Sequence, residues 1–221
     1  MLCITKELEN NIEHIEYTGY KKEDIIFFDI ETTGFSPETT ILYMIGCIYY
    51  QQNRLICTQW FSDSKDAQKD VLVAFMEFID KYKLLVCYNG LGFDIPYLQK
   101  KCRMYGLAYS IEQMAVLDIY KQLQPYRSIL HTPNLKQKSI ETFLGINRED
   151  KYNGGELIDI YLKYLENRSN ENFNLLTLHN REDLIGMTSL LSMLSYRIVY
   201  NGGFTIENIE KISYNSAERA P

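Results

Sequence analysis

Cysteine is sparse in this 221-residue sequence, and nothing in its placement suggests pairing. The five residues Cys3, Cys47, Cys57, Cys87 and Cys102 show no C-x-x-C spacing and are odd in number, which argues against a complete disulfide framework. Reduced, mostly buried thiols are expected. The three histidines, His14, His131 and His179, are too widely spaced to form ligand pairs. A cysteine–histidine zinc site is therefore not expected, and any metal must be held by oxygen. No apolar run reaches membrane-spanning length, and the opening MLCITKELENNIEHIEY is too polar and acidic for a targeting segment, so a cytoplasmic protein is expected. Basic residues are outnumbered 23 to 29, giving a net charge of −6. That balance counts against a protein that coats long nucleic acid, but not against one that grips a chain end. Repeats and low-complexity linkers are also missing, so residues 1–221 read as one domain.

Aromatic residues are plentiful: eighteen tyrosines and ten phenylalanines within a 46% hydrophobic composition. Most are expected to fill core. The first half is strand-rich, with DIIFFDI (24–30), ILYMIGCIYY (41–50) and RLICTQWF (54–61) expected to form an antiparallel trio and QQN the hairpin turn. Helical spacing then sets in through DAQKDVLVAFMEFIDKY, followed by a strand KLLVCY and a helix from Asp94 to about Tyr105. AVLDIY is the fifth expected strand. Helices KSIETFLG, GGELIDIYLKYLEN and a long NLLTLHNREDLIGMTSLLSMLSYRIVY follow. The expected fold class is α/β, with a central mixed five-stranded sheet flanked by helices.

Three polar patches interrupt this pattern. In FFDIETTG, Asp29 and Glu31 lie two apart at the end of an apolar strand, so they share a face with α-carbons roughly 6 to 7 Å apart. Two carboxylates held there repel unless a cation lies between them. In YNGLGFDIPYL, a strand empties into Asn89, Gly90 and Gly92 before Asp94 begins a helix. An N-cap role for Asp94 is a common helix start with Pro96 in the first turn, yet it leaves YNGLGF unexplained. In HNRED, His179 and Asp183 are four apart and share one helical face, whereas Glu182 falls to one side. That helix is otherwise apolar here, so its polar face looks either at water or into a cleft.

The order D-x-E, then N-x-x-x-F-D, then a helical D resembles the DEDD 3′-5′ exonucleases of the ribonuclease H-like superfamily. YNGLGFDIPYL is similar to the second exonuclease motif of family-B DNA polymerases. The whole pattern, with KSIETFLGI and the helix opening NGGELI, most resembles stand-alone exonucleases of the YprB type, over about residues 24–197. The resemblance implies that Asp29, Glu31, Asp94 and Asp183 hold two divalent ions, Mg²⁺ or Mn²⁺, which clamp a scissile phosphate. Asp29 would bridge both ions, Glu31 and Asp183 would complete the nucleophile-side ion, and Asp94 would hold the other through water. His179 stands at the Y-x-x-x-D spacing of one branch of the family, not the H-x-x-x-x-D spacing of another. It is expected to position or deprotonate the attacking water as a neutral imidazole facing the cations.

The implied substrate is the 3′ end of single-stranded DNA or RNA. Thr32, Gly34, Phe35, Asn89 and Phe93 are the expected substrate contacts, with Phe35 and Phe93 placed to stack on a base. Lys100, Lys101 and Arg103, and more weakly Lys136 and Lys138, are possible phosphate contacts. Two rival readings stand beside the exonuclease. One is a catalytically weak ribonuclease H-like module that binds a nucleic-acid end. The other is a haloacid-dehalogenase-like phosphatase, which Glu31 disfavours because that family normally has aspartate there.

Overall fold

A computed structural model describes residues 1–9, 11–111, 114–128 and 130–194. The strands are β1 (Leu2–Leu8), β2 (Ile25–Thr32), β3 (Leu42–Gln51), β4 (Arg54–Phe61), β5 (Leu84–Cys87) and β6 (Ala115–Asp118). The helices are α1 (Gln68–Ile79), α2 (Asp94–Met104), α3 (Ile119–Leu123), α4 (Gln137–Phe143), α5 (Gly154–Asn167) and α6 (Asn170–Ser189). All six strands form one sheet in the order β1-β4-β3-β2-β5-β6. The pairs β2/β3, β3/β4 and β1/β4 are antiparallel, and β5 and β6 extend the sheet in parallel from β2.

The expected antiparallel trio and two parallel strands are present, and the hairpin closes through Gln52 and Asn53, both at positive φ. Such a turn matches the twist of the flanking strands. The expected count of five strands is corrected to six among the described residues. β1 was missed because it is an edge strand whose side chains are mostly exposed on both faces. Backbone pairing with β4 holds it, so it lacks a buried stripe to read. AVLDIY ends as a strand at Asp118, whose carboxylate caps α3 by accepting from the Lys121 N–H. Residues 195–200 of the long last expected helix lie outside the described residues.

Alternation along β2 sends Ile26, Phe28 and Ile30 to one face, against α1 (Val71, Leu72, Phe75) and α2 (Ile95, Leu98). Ile25 and Phe27 point to the other face, against Ile140 of α4 and Leu184 and Met187 of α6. Asp29 and Glu31 continue this second face. Earlier in α6, Leu176 joins a separate apolar cluster with Tyr43, Phe61, Leu157 and Tyr161. The polar turns of α6 between Leu176 and Leu184 therefore lie over the end of β2, in the gap between two apolar clusters.

Candidate active site

Asp29 pairs across β3 with Gly46, and Gly46 pairs across β4 with Gln59. A Cβ on Gly46 would lie 1.9 Å from Asn180 Oδ1 and 2.8 Å from Leu184 Cδ1, so α6 lies directly on the backbone at this point. In that close contact, Asn180 Nδ2 donates to Asp29 Oδ2 (2.9 Å), while Asn180 Oδ1 accepts from Gln59 Nε2 (2.9 Å). Gly46→Ala is expected to lift α6, break this chain and destabilise the fold by about 1 to 3 kcal/mol. Chemical denaturation would measure it, and an unchanged midpoint would contradict the close contact.

Each carboxylate of the expected quartet is anchored by the protein. The β2/β3 register shifts between Glu31, opposite Met44, and Thr32, opposite Leu42. Tyr43 is thus the extra residue of a bulge, a feature that re-aims side chains. Its hydroxyl donates to Glu31 Oε2 at 3.2 Å. Asp94 accepts from the Ile30 N–H through Oδ1 at 3.2 Å, tying the start of α2 to β2. Asp94 is the first residue within α2, and Phe93 holds the N-cap position expected for it. Asp183 Oδ1 pairs with Arg148, and its Oδ2 lies 3.2 Å from His179 Nε2. That nitrogen is also 3.8 Å from Glu31 Oε1, and Glu31, His179 and Asp183 together present three potential metal-ligand atoms.

Burial first, and then the charges of Glu31, Asp183 and Asp94, hold the Asp29 carboxyl well above the usual carboxylate range, against the Asn180 hydrogen bond. Burial likewise pushes Glu31 and Asp94 up to about 7. Burial also works against ionised Asp183, but His179 and Arg148 outweigh it and hold its pKa down. Burial disfavours imidazolium at His179, yet the Asp183 hydrogen bond and the charges of Glu31, Asp183 and Asp150 raise it to about 9. Without cations the acidic surroundings favour the protonated ring, so the neutral imidazole expected from the sequence requires positive charge at the carboxylates. This donor set, oxygen-rich and crowded with mutually repelling acids, suits hard divalent cations.

These shifts fix the sign of a pH dependence. Raised carboxyl pKa values contribute stability below about pH 4 that is lost as pH rises through about 7, and the raised His179 contribution is lost toward 9. In EDTA, the unfolding temperature should fall between pH 5.5 and 8.5 through these groups, and Mn²⁺ should stabilise most at the alkaline end. Scanning fluorimetry with and without Mn²⁺ checks this. A rise in EDTA over that range would contradict it.

The residues expected to contact substrate lie at the end of β2 and in the turn after it, and in the turn between β5 and α2. Thr32 Oγ1 donates to the Gly34 carbonyl at 2.8 Å in the turn after β2. Phe35 is 88% exposed and packs edge-on against Phe93, with ring centroids 5.8 Å apart. Asn89 holds a positive φ of 61° while its carbonyl accepts from Gly92 N–H and Phe93 N–H. Asp118, buried beneath, accepts from the backbone N–H of Asn89 (2.8 Å) and Leu91 (3.0 Å). This explains YNGLGF: the stretch is a tight turn pinned on a buried carboxylate, and it delivers Asp94.

Several lysines have other duties. Lys101 is buried and donates to the Thr40 carbonyl and Gln68, so it is a structural tie and not a phosphate contact. Lys100 pairs with Glu38, and Lys138 with Asp150. Arg103 and Lys136 are exposed. Residues that the sequence reading missed include Asn180, Gln59, Tyr43, Arg148, Asp150 and Glu141. Gln59, a lone amide inside the apolar strand RLICTQWF, carried a signal. Arg148 and Asp150 lie in a polar loop and carried none.

A family model described as RNase_H superfamily matches residues 26–195. The chain belongs to this superfamily. It is 23% identical over 202 residues to the uncharacterized protein YprB of Bacillus subtilis (strain 168), covering 89% of the chain and 48% of that protein. It is also 23% identical over 151 residues to the DNA polymerase III PolC-type of Ureaplasma parvum serovar 3, covering 56% of the chain and 10% of the polymerase. The chain thus spans about half the length of one relative and a tenth of the other. The family B DNA polymerase from the hyperthermophilic archaeon Pyrobaculum calidifontis superposes with a TM-score of 0.64 at 15% identity, over 86% of this chain and 26% of the polymerase. The superposition establishes likeness of fold. Among the described residues, no helix is long and apolar enough to cross a membrane.

Proposed function

We propose that this protein is a metal-dependent nuclease that hydrolyses phosphodiester bonds from the 3′ end of single-stranded DNA or RNA. The observation that carries the reading is the set of four acids gathered at the end of β2, each tied down by a hydrogen bond or ion pair and three of them destabilised as anions in the absence of cations. Asp29, Glu31, Asp94 and Asp183 are the residues to hold two divalent ions. The chemistry such ions supply is Lewis-acid stabilisation of charge on the scissile phosphate. His179 Nε2, facing Glu31 and Asp183, is placed to take a proton from the attacking water.

Phe35 and Phe93 offer the terminal base an apolar edge, with Thr32, Gly34 and Asn89 beside it. Phe35→Ala should weaken binding of a single-stranded end by about 1 to 3 kcal/mol. Because the ring is exposed, stability should change by no more than about 0.5 kcal/mol. Fluorescence anisotropy in Ca²⁺ checks the first, and thermal unfolding the second. Equal affinity for the variant would contradict the stacking role.

Incubating end-labelled DNA and RNA oligonucleotides with Mn²⁺, Mg²⁺ or EDTA tests the function. The proposal predicts chain shortening with either ion and none in EDTA. Binding without cleavage would favour the weak module, and loss of a terminal phosphate alone would favour the phosphatase.

A further inference from the structure

The loop joining α4 to α5 grips the HNRED turn of α6 at three points. Arg148 pairs with Asp183 and also with buried Glu141. The backbone N–H groups of Glu149 and Asp150 each donate to the Glu182 carboxylate at 2.8 Å. Asp150 Oδ2 lies 2.6 Å from His179 Nδ1. The first two contacts fasten the helix. The third differs, because the Asp150 carboxylate touches α6 only through the imidazole.

Asp150 is itself held firmly. Its carboxylate is almost fully buried, its Oδ2 accepts from Lys138 Nζ at 2.7 Å, and its Oδ1 accepts from the Tyr152 N–H at 3.0 Å. Lys138 is fixed in turn by donating to the Tyr152 carbonyl at 2.6 Å. A carboxylate immobilised in this way accepts a hydrogen bond from the Nδ1–H, and an acceptor at one ring nitrogen determines what the other can do. Nε2 is then the nitrogen left facing Asp183 Oδ2 and Glu31 Oε1.

We propose that Asp150 is a positioning residue for the reaction, orienting His179 and keeping its proton on Nδ1 so that Nε2 faces the attacking water beside Glu31 and Asp183. The catalytic part of this inference rests on the nuclease reading. The ring-orienting part does not, and the two are separable by experiment. Removing the Asp150 side chain leaves the Glu182 and Arg148 anchors in place, along with the Asn180 and Gln59 contacts that seat α6 on the sheet.

The test combines kinetics with ¹H–¹⁵N imidazole spectra of the Mg²⁺-loaded protein at a pH where the ring is neutral. Asp150→Ala should lower the single-turnover rate about 10- to 100-fold, with little change in oligonucleotide affinity measured in Ca²⁺. Asp150→Asn sets an amide NH₂ against either the Tyr152 N–H or His179 Nδ1 and Lys138 Nζ, so it should lose rate much as Asp150→Ala does, and a wild-type rate there would overturn the proposal. In a His179→Ala background, Asp150→Ala should add less than about a twofold loss, since residues acting as a unit are not additive. A full additional loss there would make Asp150 merely structural and overturn the proposal. The wild-type spectrum should show the proton on Nδ1, and a ring protonated on Nε2 would overturn the proposal whether or not Asp150→Ala folds. If wild type cleaves no nucleic acid, the nuclease reading fails, while the spectrum still decides whether Asp150 sets the ring.

Discussion

Asp29→Asn should eliminate metal-dependent hydrolysis, with a loss on the order of 10³-fold or more, while leaving the metal-free protein as stable as wild type or more so. The two effects share one cause. Asp29 sits on a central strand between Glu31, Asp183 and Asp94, and its burial and their charges make its anion unfavourable. An amide removes that repulsion and can still accept from Asn180 Nδ2. It also removes the charge that would draw two cations together. Single-turnover cleavage in Mn²⁺ and thermal unfolding in EDTA measure the two halves. Wild-type turnover in the variant would remove Asp29 from the chemistry. A marked drop in metal-free stability would show that its anion is stabilised by the fold, contrary to its surroundings.

Arg148→Met should destabilise the protein by about 3 to 5 kcal/mol, a large effect for a residue in a loop. Glu141 is fully buried, and its partners are Arg148 and Gln137 Nε2, the latter at 2.8 Å. Removing the guanidinium leaves that charge uncompensated and deprives Asp183 of a counter-ion. Neutralising the acid as well, in Arg148→Met/Glu141→Gln, should recover a large part of the loss. Urea unfolding of both variants distinguishes a buried ion pair, which gives this recovery, from simple loss of packing, which does not.

The sheet was legible where burial imposed a pattern. β2, β3 and β4 are long, β-branched or aromatic and covered on both faces, so their runs stand out, whereas β1 is held by backbone pairing and leaves no stripe. The acids were legible for a related reason. Asp29 and Glu31 interrupt an apolar strand, and His179 and Asp183 interrupt an apolar helix, so each is conspicuous against its neighbours. Their supports were not. Tyr43 reaches Glu31 only because a bulge re-aims it, and Arg148 and Asp150 reach α6 from a loop 29 to 35 residues away in sequence. Contacts made across folded elements by residues that look ordinary in their own segment have no local signature. Lys101 shows the converse: it reads as part of a surface charge run, but its ammonium is buried against Thr40 and Gln68.

The proposed activity is shortening of a single strand from its 3′ end. The direct measurement follows one oligonucleotide, labelled in separate reactions at the 5′ and the 3′ terminus, during incubation with Mn²⁺. The account predicts a descending ladder from the 5′-labelled strand and immediate release of labelled mononucleotide from the 3′-labelled one, with both signals lost in Asp29→Asn. Mononucleotide released first from the 5′ label, or cleavage that persists in Asp29→Asn, would contradict it.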